Sequence, residues 1–337
     1  MEPFEAEIQR FIDCWTGDSC DIEAHTSGST GVPKRVMLPR RLVKESAWRS
    51  IRHFGLDRDS VIHLILSPAY IAGKMAIVRA LEAGCTLTAE APSAHPMQSP
   101  RTPSHITLLS AVGAQLDGMC ELKVRGRLPH IRHLLLGGAP LTPAMRSAAA
   151  TLAEKAWESY GMTETASHIA LRRVLDTDPY GTSPFMPLEG ICTGTDRRGC
   201  LVISMPTVGT IVTNDLVEMR ADGGFKVLGR ADNVIITGGL KVIPEKVEQA
   251  LAPLFTRNDF YVSSRPHPKW GEELVVVVEH AGAMGVEYID SKRYFIGGCS
   301  LYALCRDMLA PCERPKGVII LPEFRRTDSG KLIRQRF

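Results

Sequence analysis

The chain has 337 residues, of which 44% are hydrophobic and 23% charged, and its formal net charge is +3. This length and composition predict one large globular domain or two smaller ones with a buried core. Such a balanced charge gives no strong field for nucleic acid or for an anionic membrane surface, so we expect neither as a partner. The nine cysteines include no C-x-x-C pair, which argues against a zinc site and a disulfide framework.

The N-terminal segment is acidic and lacks the apolar run of a signal peptide. Residues 1–25 contain seven acids and one arginine, whereas residues 34–52 contain seven Lys or Arg and one acid. The basic segment either raises local anion affinity or forms a solvated helix face. No apolar run is long enough to cross a bilayer, and we expect a soluble, cytoplasmic protein.

Short apolar runs alternate with helical patterns through the first half of the chain. Strands are predicted at VIHLIL (61–66), CTLTA (85–89), HITLLS (105–110) and IRHLLL (131–136). Helices are predicted at 41–54, where apolar residues share one stripe, and at 142–153, which follows a Thr-Pro start. This alternation predicts an α/β domain with a largely parallel sheet.

From about residue 185 the pattern changes to strands separated by glycine and proline. These turn signals predict an antiparallel, β-rich portion that closes the first domain. After GRADN (229–233) an α+β pattern follows, with helices near 244–252 and 299–310 and strands at 273–280 and 317–321. We therefore predict an N-terminal domain of residues 1–229 and a small C-terminal domain of residues 230–337.

The stretch HTSGSTGVPK (25–34) has the composition of a phosphate-binding loop. It is not a Walker A loop, because Gly28 and Gly31 are three residues apart and Lys34 follows a proline. Its hydroxyl residues are Thr26, Ser27, Ser29 and Thr30. Hydroxyls on a glycine-rich backbone, followed by a cation, can wrap a triphosphate. A flexible Ser/Gly surface loop is the alternative.

Further motifs follow in order along the chain: GGAPL (137–141), YGMTET (160–165), TND (213–215), GRADNVIITGGLKVIPEKVE (229–248), RPHPKWGEE (265–273) and TDSGKLIR (327–334). Together with TSGSTGVPK they resemble the signature set of the adenylate-forming superfamily, which includes the acyl-CoA synthetases. The resemblance covers nearly the whole chain. It implies a large AMP-binding domain with mixed sheets and helices, a small C-terminal domain that moves about a hinge, and ATP, Mg²⁺ and coenzyme A as ligands.

The resemblance also implies a role for each nucleotide-site residue. Adenine would lie against Tyr160 and the backbone of Gly137, Gly138, Ala139 and Gly161. Thr163 would donate to the α-phosphate and Glu164 would hold Mg²⁺. Asp215 would accept from the ribose hydroxyls, and Arg230 would contact ribose or phosphate. Each of these residues also has a structural alternative. Tyr160 could be a core aromatic and the Thr-Glu pair a helix cap. Asp215 could be a turn residue and Arg230 part of a surface ion pair.

The catalytic lysine implied by the resemblance is Lys331, in TDSGK. Its ammonium would stabilise the charge that grows as a substrate carboxylate attacks the α-phosphorus. Asp232 matches the hinge position. A rotation there would bring Gly238 and Gly239 to the tunnel through which coenzyme A enters. A simple turn is the alternative for this glycine pair.

The acid substrate is implied less directly. Many relatives carry P-x-Y-H-x-x-G where this chain has PAYIAGK (68–74), so that Ile71 replaces the histidine and Lys74 follows the glycine. Lys74 would suit an acid with a second carboxylate, or it is an exposed helix residue. The hinge sequence and the short chain look most like o-succinylbenzoate–CoA ligases of menaquinone biosynthesis. A general acyl- or aryl-CoA ligase and a non-catalytic nucleotide-binding regulator are the alternatives.

The phosphate loop begins unusually early for this superfamily. We therefore expect a shortened N-terminal domain that still contains every nucleotide motif. The resemblance leaves a homodimer open.

Overall fold

The computed structural model describes residues 3–17, 21–26, 34–255, 259–283, 285–326 and 332–337, with backbone alone for residues 25, 26 and 34. The elements of its first half are α1 (Pro3–Thr16), β1 (Asp21–Thr26), β2 (Lys34–Pro39), α2 (Arg40–Phe54), β3 (Val61–Leu64), α3 (Ile71–Ala83), β4 (Thr86–Ala89), β5 (His105–Val112), α4 (Leu116–Val124), β6 (His130–Gly137), α5 (Pro143–Leu152), β7 (Lys155–Gly161), β8 (His168–Val174) and β9 (Met186–Pro187). The four predicted strands and both predicted helices of this half are confirmed.

The central sheet has seven strands in the order β4-β3-β5-β6-β7-β8-β9. Strands β3 to β7 are parallel, whereas β8 and β9 are antiparallel to their neighbours. Side chains of a strand alternate between the two faces of its sheet. In β6, Leu135 accordingly packs in the core formed with α1, α2 and α3, and Leu134 and Leu136 pack in the core formed with α4 and α5. Both faces of the parallel sheet are therefore covered, as its continuous apolar strands predict.

Helix α3 was not predicted from the sequence. Its buried residues form a nearly continuous run from Gly73 to Ala80, interrupted by Lys74, so the helix has no distinct polar face. Gly73 is required here, because a Cβ at this position would lie 2.2 Å from the backbone oxygen of Ser67. The helix ends at Gly84, which has a positive φ of 65°.

A second sheet follows the first. It is an antiparallel meander of β10 (Cys192–Thr195), β11 (Cys200–Met205), β12 (Gly209–Met219) and β13 (Phe225–Arg230). Residues from both sheets contribute to one core, in which Phe225 of β13 is completely buried together with Phe185. The prediction of an antiparallel, β-rich portion after residue 185 is confirmed.

The remaining described elements are β14 (Ile235–Thr237), β15 (Leu240–Val242), α6 (Pro244–Leu251), β16 (Phe260–His267), β17 (Gly271–Glu279), β18 (Glu287–Asp290), β19 (Phe295–Ile296), β20 (Cys299–Ser300), α7 (Leu301–Met308) and β21 (Gly317–Leu321). Six of these strands form a mixed sheet in the order β15-β14-β17-β21-β18, with β16 paired to β17, and β19 pairs with β20 in a separate two-stranded sheet. Their apolar residues form two core clusters separate from those of the first two sheets. The α+β pattern predicted for this part is confirmed.

In the described part of the chain, every helix is too short or too polar to cross a membrane.

Candidate active site

The carboxyl ends of the parallel strands meet at one edge of the central sheet. Val112, at the end of β5, pairs with Gly137, at the end of β6, and β7 ends beside them at Gly161. In open α/β sheets, ligands bind in the crevice beyond this edge. Gly138, with a positive φ of 95°, and Ala139 follow β6 and are exposed there. The backbone of this loop is therefore accessible to a flat ligand.

A single 3₁₀ turn, Thr163–Thr165, follows β7. Thr165 holds the turn closed, since its hydroxyl donates to the backbone oxygen of Ser167 at 2.6 Å and accepts from the Met162 amide at 3.1 Å. Thr163 is half-buried and Glu164 is exposed, and neither side chain has a polar partner in the described part of the chain. Both groups are thus available to a ligand.

The hairpin of β1 and β2 contacts this turn with both of its strands. In the hairpin register, Thr26, the last residue of β1, pairs with Lys34, the first residue of β2. The predicted phosphate-loop residues Ser27, Gly28, Ser29, Thr30 and Gly31 lie outside the described residues. The structure therefore brings both strands that flank the loop to the Thr-Glu turn, which lies 137 positions after Thr26 in the sequence.

Gly161 makes the closest backbone approach in this part of the site. A Cβ there would lie 2.4 Å from the backbone oxygen of Ser167 and 2.5 Å from the Cα of His168. The Gly161→Ala variant should therefore lose about 2–3 kcal/mol in the free energy of unfolding, measured by urea denaturation. Gly194→Ala is the matched control, because a Cβ at this strand position meets nothing within 4 Å. Equal stability of the two variants would contradict the close approach.

An acidic and aromatic cluster lies next to the turn. Asp215 pairs with Arg230 in the register of β12 and β13, and Arg230 donates to its carboxylate at 3.2 Å. The Tyr160 hydroxyl donates to the other carboxylate oxygen of Asp215 at 2.5 Å. Burial raises the pKa of Tyr160, and the Asp215 charge raises it further, so the hydroxyl remains a donor. Two donors thus fix the orientation of the Asp215 carboxylate.

The ring of Tyr160 is supported by two phenylalanines. Its centroid lies 5.1 Å from that of Phe225 in an edge-to-face arrangement and 5.7 Å from that of Phe185. Arg172 covers Phe185 at 4.3 Å and donates to the buried Glu158 carboxylate at 2.7 Å. Phe185 and Phe225 lie outside the sequence motifs, because only the fold brings them beside Tyr160.

Arg230 also connects this cluster to Asp232. It donates to the Asp232 carboxylate at 3.1 Å, and the Asn214 amide donates to the same oxygen at 3.2 Å. Burial by itself would lower the pKa of Arg230, but Asp215 and Asp232 outweigh it and raise the pKa. Arg230 therefore remains a cation held between the two carboxylates.

The glycine pair predicted for the coenzyme A side lies in the turn between β14 and β15. Gly238 and Gly239 both have positive φ values, 57° and 81°, and the Gly238 amide donates to the backbone oxygen of Trp270 at 2.9 Å. The structure places this turn beside Trp270, whose indole stacks on His267. It does not bring the pair into the Tyr160 cluster by any contact among the described residues. Lys331 lies outside the described residues.

Lys74, the residue predicted to recognise the acid, has other partners. Its ammonium donates to the backbone oxygen of Glu23 at 2.6 Å and lies 5.8 Å from the ring of Phe11. Burial lowers its pKa. The side chain is half-buried against α1 and β1, so it is not the exposed helix residue of the alternative interpretation either.

Arg79, five residues further along α3, was not predicted from the sequence. Its side chain is only 1% exposed, and one Nη donates to the Ser167 hydroxyl at 2.9 Å. The buried Nε has no partner in the described part of the chain, and no described carboxylate forms an ion pair with it. Burial lowers the pKa of Arg79 to about 10, which leaves it charged at neutral pH. An arginine within the apolar run MAIVRAL was the available signal in the sequence.

Ser167 connects Arg79 to the Thr-Glu turn. Its hydroxyl also contacts Nδ1 of His168 at 3.2 Å, and Nε2 of that ring contacts the Ser50 hydroxyl at 3.1 Å. Burial and the neighbouring Arg79 hold the pKa of His168 well below its usual value, so the imidazole is neutral. A buried cation thus lies just behind the turn that carries Thr163 and Glu164.

Comparison with known proteins gives consistent matches. The sequence profile of the family described as AMP-binding enzyme matches residues 21–189. The 2-succinylbenzoate–CoA ligase of Geobacillus kaustophilus is 26% identical over 360 residues, which cover 96% of this chain and 71% of the relative. An acyl-CoA synthetase (AMP-forming)/AMP-acid ligase II-like protein of Dyadobacter fermentans is 33% identical, with a TM-score of 0.63 and coverage of 98% of this chain and 92% of that one.

The fold also matches solved structures of the o-succinylbenzoate CoA synthetase of Bacillus subtilis. The complex with its acyl-adenylate intermediate has a TM-score of 0.75 at 24% identity and covers 94% of this chain and 69% of that one. The complex with ATP and magnesium ion has a TM-score of 0.73 at 23% identity, with coverage of 94% and 70%.

Proposed function

The chain belongs to the AMP-binding enzyme family, and from this premise we propose that it is the ligase that joins o-succinylbenzoate to coenzyme A. Enzymes of this kind are acid–thiol ligases that use ATP, Mg²⁺ and coenzyme A. The acid carboxylate first attacks the α-phosphorus of ATP, which forms an acyl-adenylate and releases pyrophosphate. The coenzyme A thiol then attacks the acyl carbon, which forms the thioester and releases AMP.

The described residues support a position for the nucleotide. Asp215, already oriented by Tyr160 and Arg230, would accept hydrogen bonds from the ribose hydroxyls. Adenine would lie between the accessible backbone of Gly138 and Ala139 and the ring of Tyr160. The triphosphate would then extend towards Thr163 and the β1–β2 hairpin, where the loop residues and Lys34 would bind it.

Glu164 fits a role in holding Mg²⁺. The described residues contain no cluster of three metal-ligating side chains, but Mg²⁺ at a nucleotide is bound mainly by phosphate oxygens and water and needs only one or two carboxylates. Glu164 is exposed, and its carboxylate has no polar partner in the described part of the chain. The ion would neutralise charge on the phosphates, while Thr163 donates to the α-phosphate.

The observation that carries the choice of acid is the buried charge of Arg79. A guanidinium that is removed from water without a counter-charge is costly, and a planar carboxylate is the group that its two-donor edge binds best. o-Succinylbenzoate has an aliphatic carboxylate to activate and a benzoate carboxylate to be recognised. The second carboxylate would supply the counter-charge, and the position of Ser167 would leave the first near Thr163. We therefore assign recognition of the acid to Arg79, since the Lys74 ammonium is already bound to the backbone of β1.

The two half-reactions would use two arrangements of the chain. We propose that residues 1–229 and 230–337 act as separate domains that rotate about Asp232. In the first arrangement Lys331 would reach the α-phosphate. In the second, Gly238 and Gly239 would leave room for the pantetheine arm. The contacts of Asp232 with Arg230 and Asn214 support this proposal. A rotation at Asp232 would change these contacts, and Arg230 also binds Asp215, the residue proposed to bind the ribose.

The function is tested by incubating the purified protein with ATP, Mg²⁺, coenzyme A and o-succinylbenzoate. Pyrophosphate release and thioester formation, followed by chromatography, are the expected result. Faster turnover of other acids would identify a general acyl- or aryl-CoA ligase. Nucleotide binding without exchange of pyrophosphate into ATP, with any carboxylate, would indicate a non-catalytic regulator.

Substitution of Arg79 separates these possibilities within the active enzyme. Arg79→Met keeps the apolar volume of the side chain and removes its charge, so kcat/KM for o-succinylbenzoate should fall about 30- to 100-fold, as expected for the loss of a charge-assisted hydrogen bond. Activity with 4-oxo-4-phenylbutyrate, which differs from o-succinylbenzoate only by the missing benzoate carboxylate, should not fall. Lys74→Met is the matched control on the same helix. An equal loss for both acids would contradict recognition by Arg79.

A further inference from the structure

A cavity of about 430 Å³ lies under the second half of α2, on the side of β8 and β9. We call it the α2 cavity. The residues that matter for its chemistry are Arg49, Arg52, His53, Trp157, Arg172 and Arg173. Trp157 pairs with Arg173 in the sheet, four residues before Gly161 along β7, which is about 13 Å. The α2 cavity is therefore separate from the crevice at the carboxyl ends of the strands.

The cavity has an excess of positive charge. Four arginines line it, and Glu189 is its only acidic lining residue in the described part of the chain. Glu189 is mostly exposed and pairs with Arg52 at 2.7 Å. Arg172 is already bound to the buried Glu158 at 2.7 Å. Among the described residues, Arg49 has one long ionic contact, with Glu45, and Arg173 has none.

Arg49 is nearly completely buried, at 7% exposure. Its contact with Glu45 is long, 3.5 Å, and the same carboxylate is shared with Arg41 at 2.9 Å and with the Thr207 hydroxyl. Burial lowers the pKa of Arg49, and the nearby Arg52 adds to this effect. This guanidinium thus lacks a full counter-charge.

Arg173 has no ion pair in the described part of the chain. Its guanidinium lies over the ring of Trp157 at 4.9 Å, and its buried Nε has no hydrogen-bond partner among the described residues. A donor that is shielded from water in this way is costly unless a ligand satisfies it. Arg49 of α2 and Arg173 of β8 both line this cavity and are incompletely paired among the described residues, so one ligand would serve both guanidiniums.

We propose that the α2 cavity binds a small anion that carries a phosphate group. Guanidinium donors match phosphate oxygens in number and geometry, and several arginines around one site are typical of phosphate recognition. Burial lowers the pKa of His53, so this lining residue is neutral. Trp157 and Met186 add apolar surface that would contact the organic part of a phosphate ester. The site would also give the basic segment of residues 34–52 a role, since Arg49 and Arg52 belong to it.

The probes are inorganic phosphate and adenosine 3′,5′-bisphosphate, which distinguish a free anion from a phosphate ester. Each is titrated calorimetrically into the full-length protein saturated with AMP, so that the nucleotide crevice is occupied. At least one probe should bind one site per chain. Arg173→Leu should weaken that binding at least about tenfold, which corresponds to about 1.4 kcal/mol. Arg132→Leu, an exposed arginine of β6, is the control.

Arg173→Lys keeps the charge but removes the Nε donor, and it should weaken binding several-fold even if the leucine variant fails to fold. Binding of neither probe by the AMP-saturated protein would overturn the proposal. Binding that both Arg173 variants leave unchanged would place the phosphate outside the α2 cavity and would overturn the proposal as well. Because AMP binding and acyl-adenylate formation are measured separately, failure of this site would leave the proposed ligase function untouched.

Discussion

Lys331→Ala should slow acyl-adenylate formation by about 10²- to 10³-fold, the loss expected when one preorganised donor to developing charge is removed. The attacking carboxylate and the α-phosphate are both anionic, and the charge on the phosphoryl oxygens is greatest in the transition state. An ammonium that contacts these oxygens only at that stage lowers the barrier without tightening ground-state binding. ATP affinity should therefore change little while kcat falls.

The measurement is exchange of labelled pyrophosphate into ATP, which reports the first half-reaction alone. Lys246→Ala is the matched control, because Lys246 lies exposed on α6 in the same C-terminal part of the chain. Thioester formation from a supplied acyl-adenylate should be retained in the Lys331 variant. A normal exchange rate in Lys331→Ala would show that another cation serves the first step.

The parallel sheet could be predicted because its strands are buried on both faces and therefore read as continuous apolar runs. The hairpin of β1 and β2 was not predicted, although DIEAHT alternates as a half-buried strand should, with Ile22 and Ala24 buried. The sequence therefore indicates the phosphate-loop motif but not the two strands, β1 and β2, that flank it.

The residue proposed to recognise the acid shows the limit of sequence patterns more clearly. Lys74 and Arg79 lie five residues apart on α3, which corresponds to a rotation of about 140° around the helix axis. Because α3 is buried nearly all round, hydrophobic periodicity does not show which direction faces the site. The structure directs Lys74 to β1 and Arg79 to Ser167. The different partners of Lys74 and Arg79 depend on how α3 packs against the sheet. The five-residue spacing between them does not predict these partners.

The Tyr160 cluster was predicted in part. Tyr160, Asp215 and Arg230 were all assigned to the nucleotide from their motifs, and the structure joins them by direct hydrogen bonds. The bonds themselves follow from the register of β12 on β13 and from the packing of Tyr160 on Phe225, both of which are long-range features. Motifs therefore identified the members of the cluster, and tertiary structure determined how they are connected.

Asp215→Ala should weaken ATP binding by about 100-fold, because the two charge-assisted hydrogen bonds proposed between this carboxylate and the ribose would be lost at about 1.5 kcal/mol each. The Asp215 carboxylate is held by Tyr160 and Arg230 before any nucleotide arrives, so its acceptor geometry is preorganised and little ordering is needed on binding. Asp222→Ala, in the turn at the far end of the same β12–β13 hairpin, is the control.

Tyr160→Phe tests how much of the Asp215 contribution to ATP binding depends on the orientation of its carboxylate rather than on its charge. The variant keeps the aromatic ring on Phe225 and removes only the hydroxyl that donates to Asp215. If preorganisation matters, ATP binding should weaken by about 5- to 10-fold, the value of one ordinary hydrogen bond, and the double variant with Asp215→Ala should be no weaker than Asp215→Ala alone. Fluorescence or calorimetric titration with ATP measures the affinity of the single and the double variant. Additive losses would mean that the Tyr160 hydroxyl contacts the nucleotide directly rather than through Asp215.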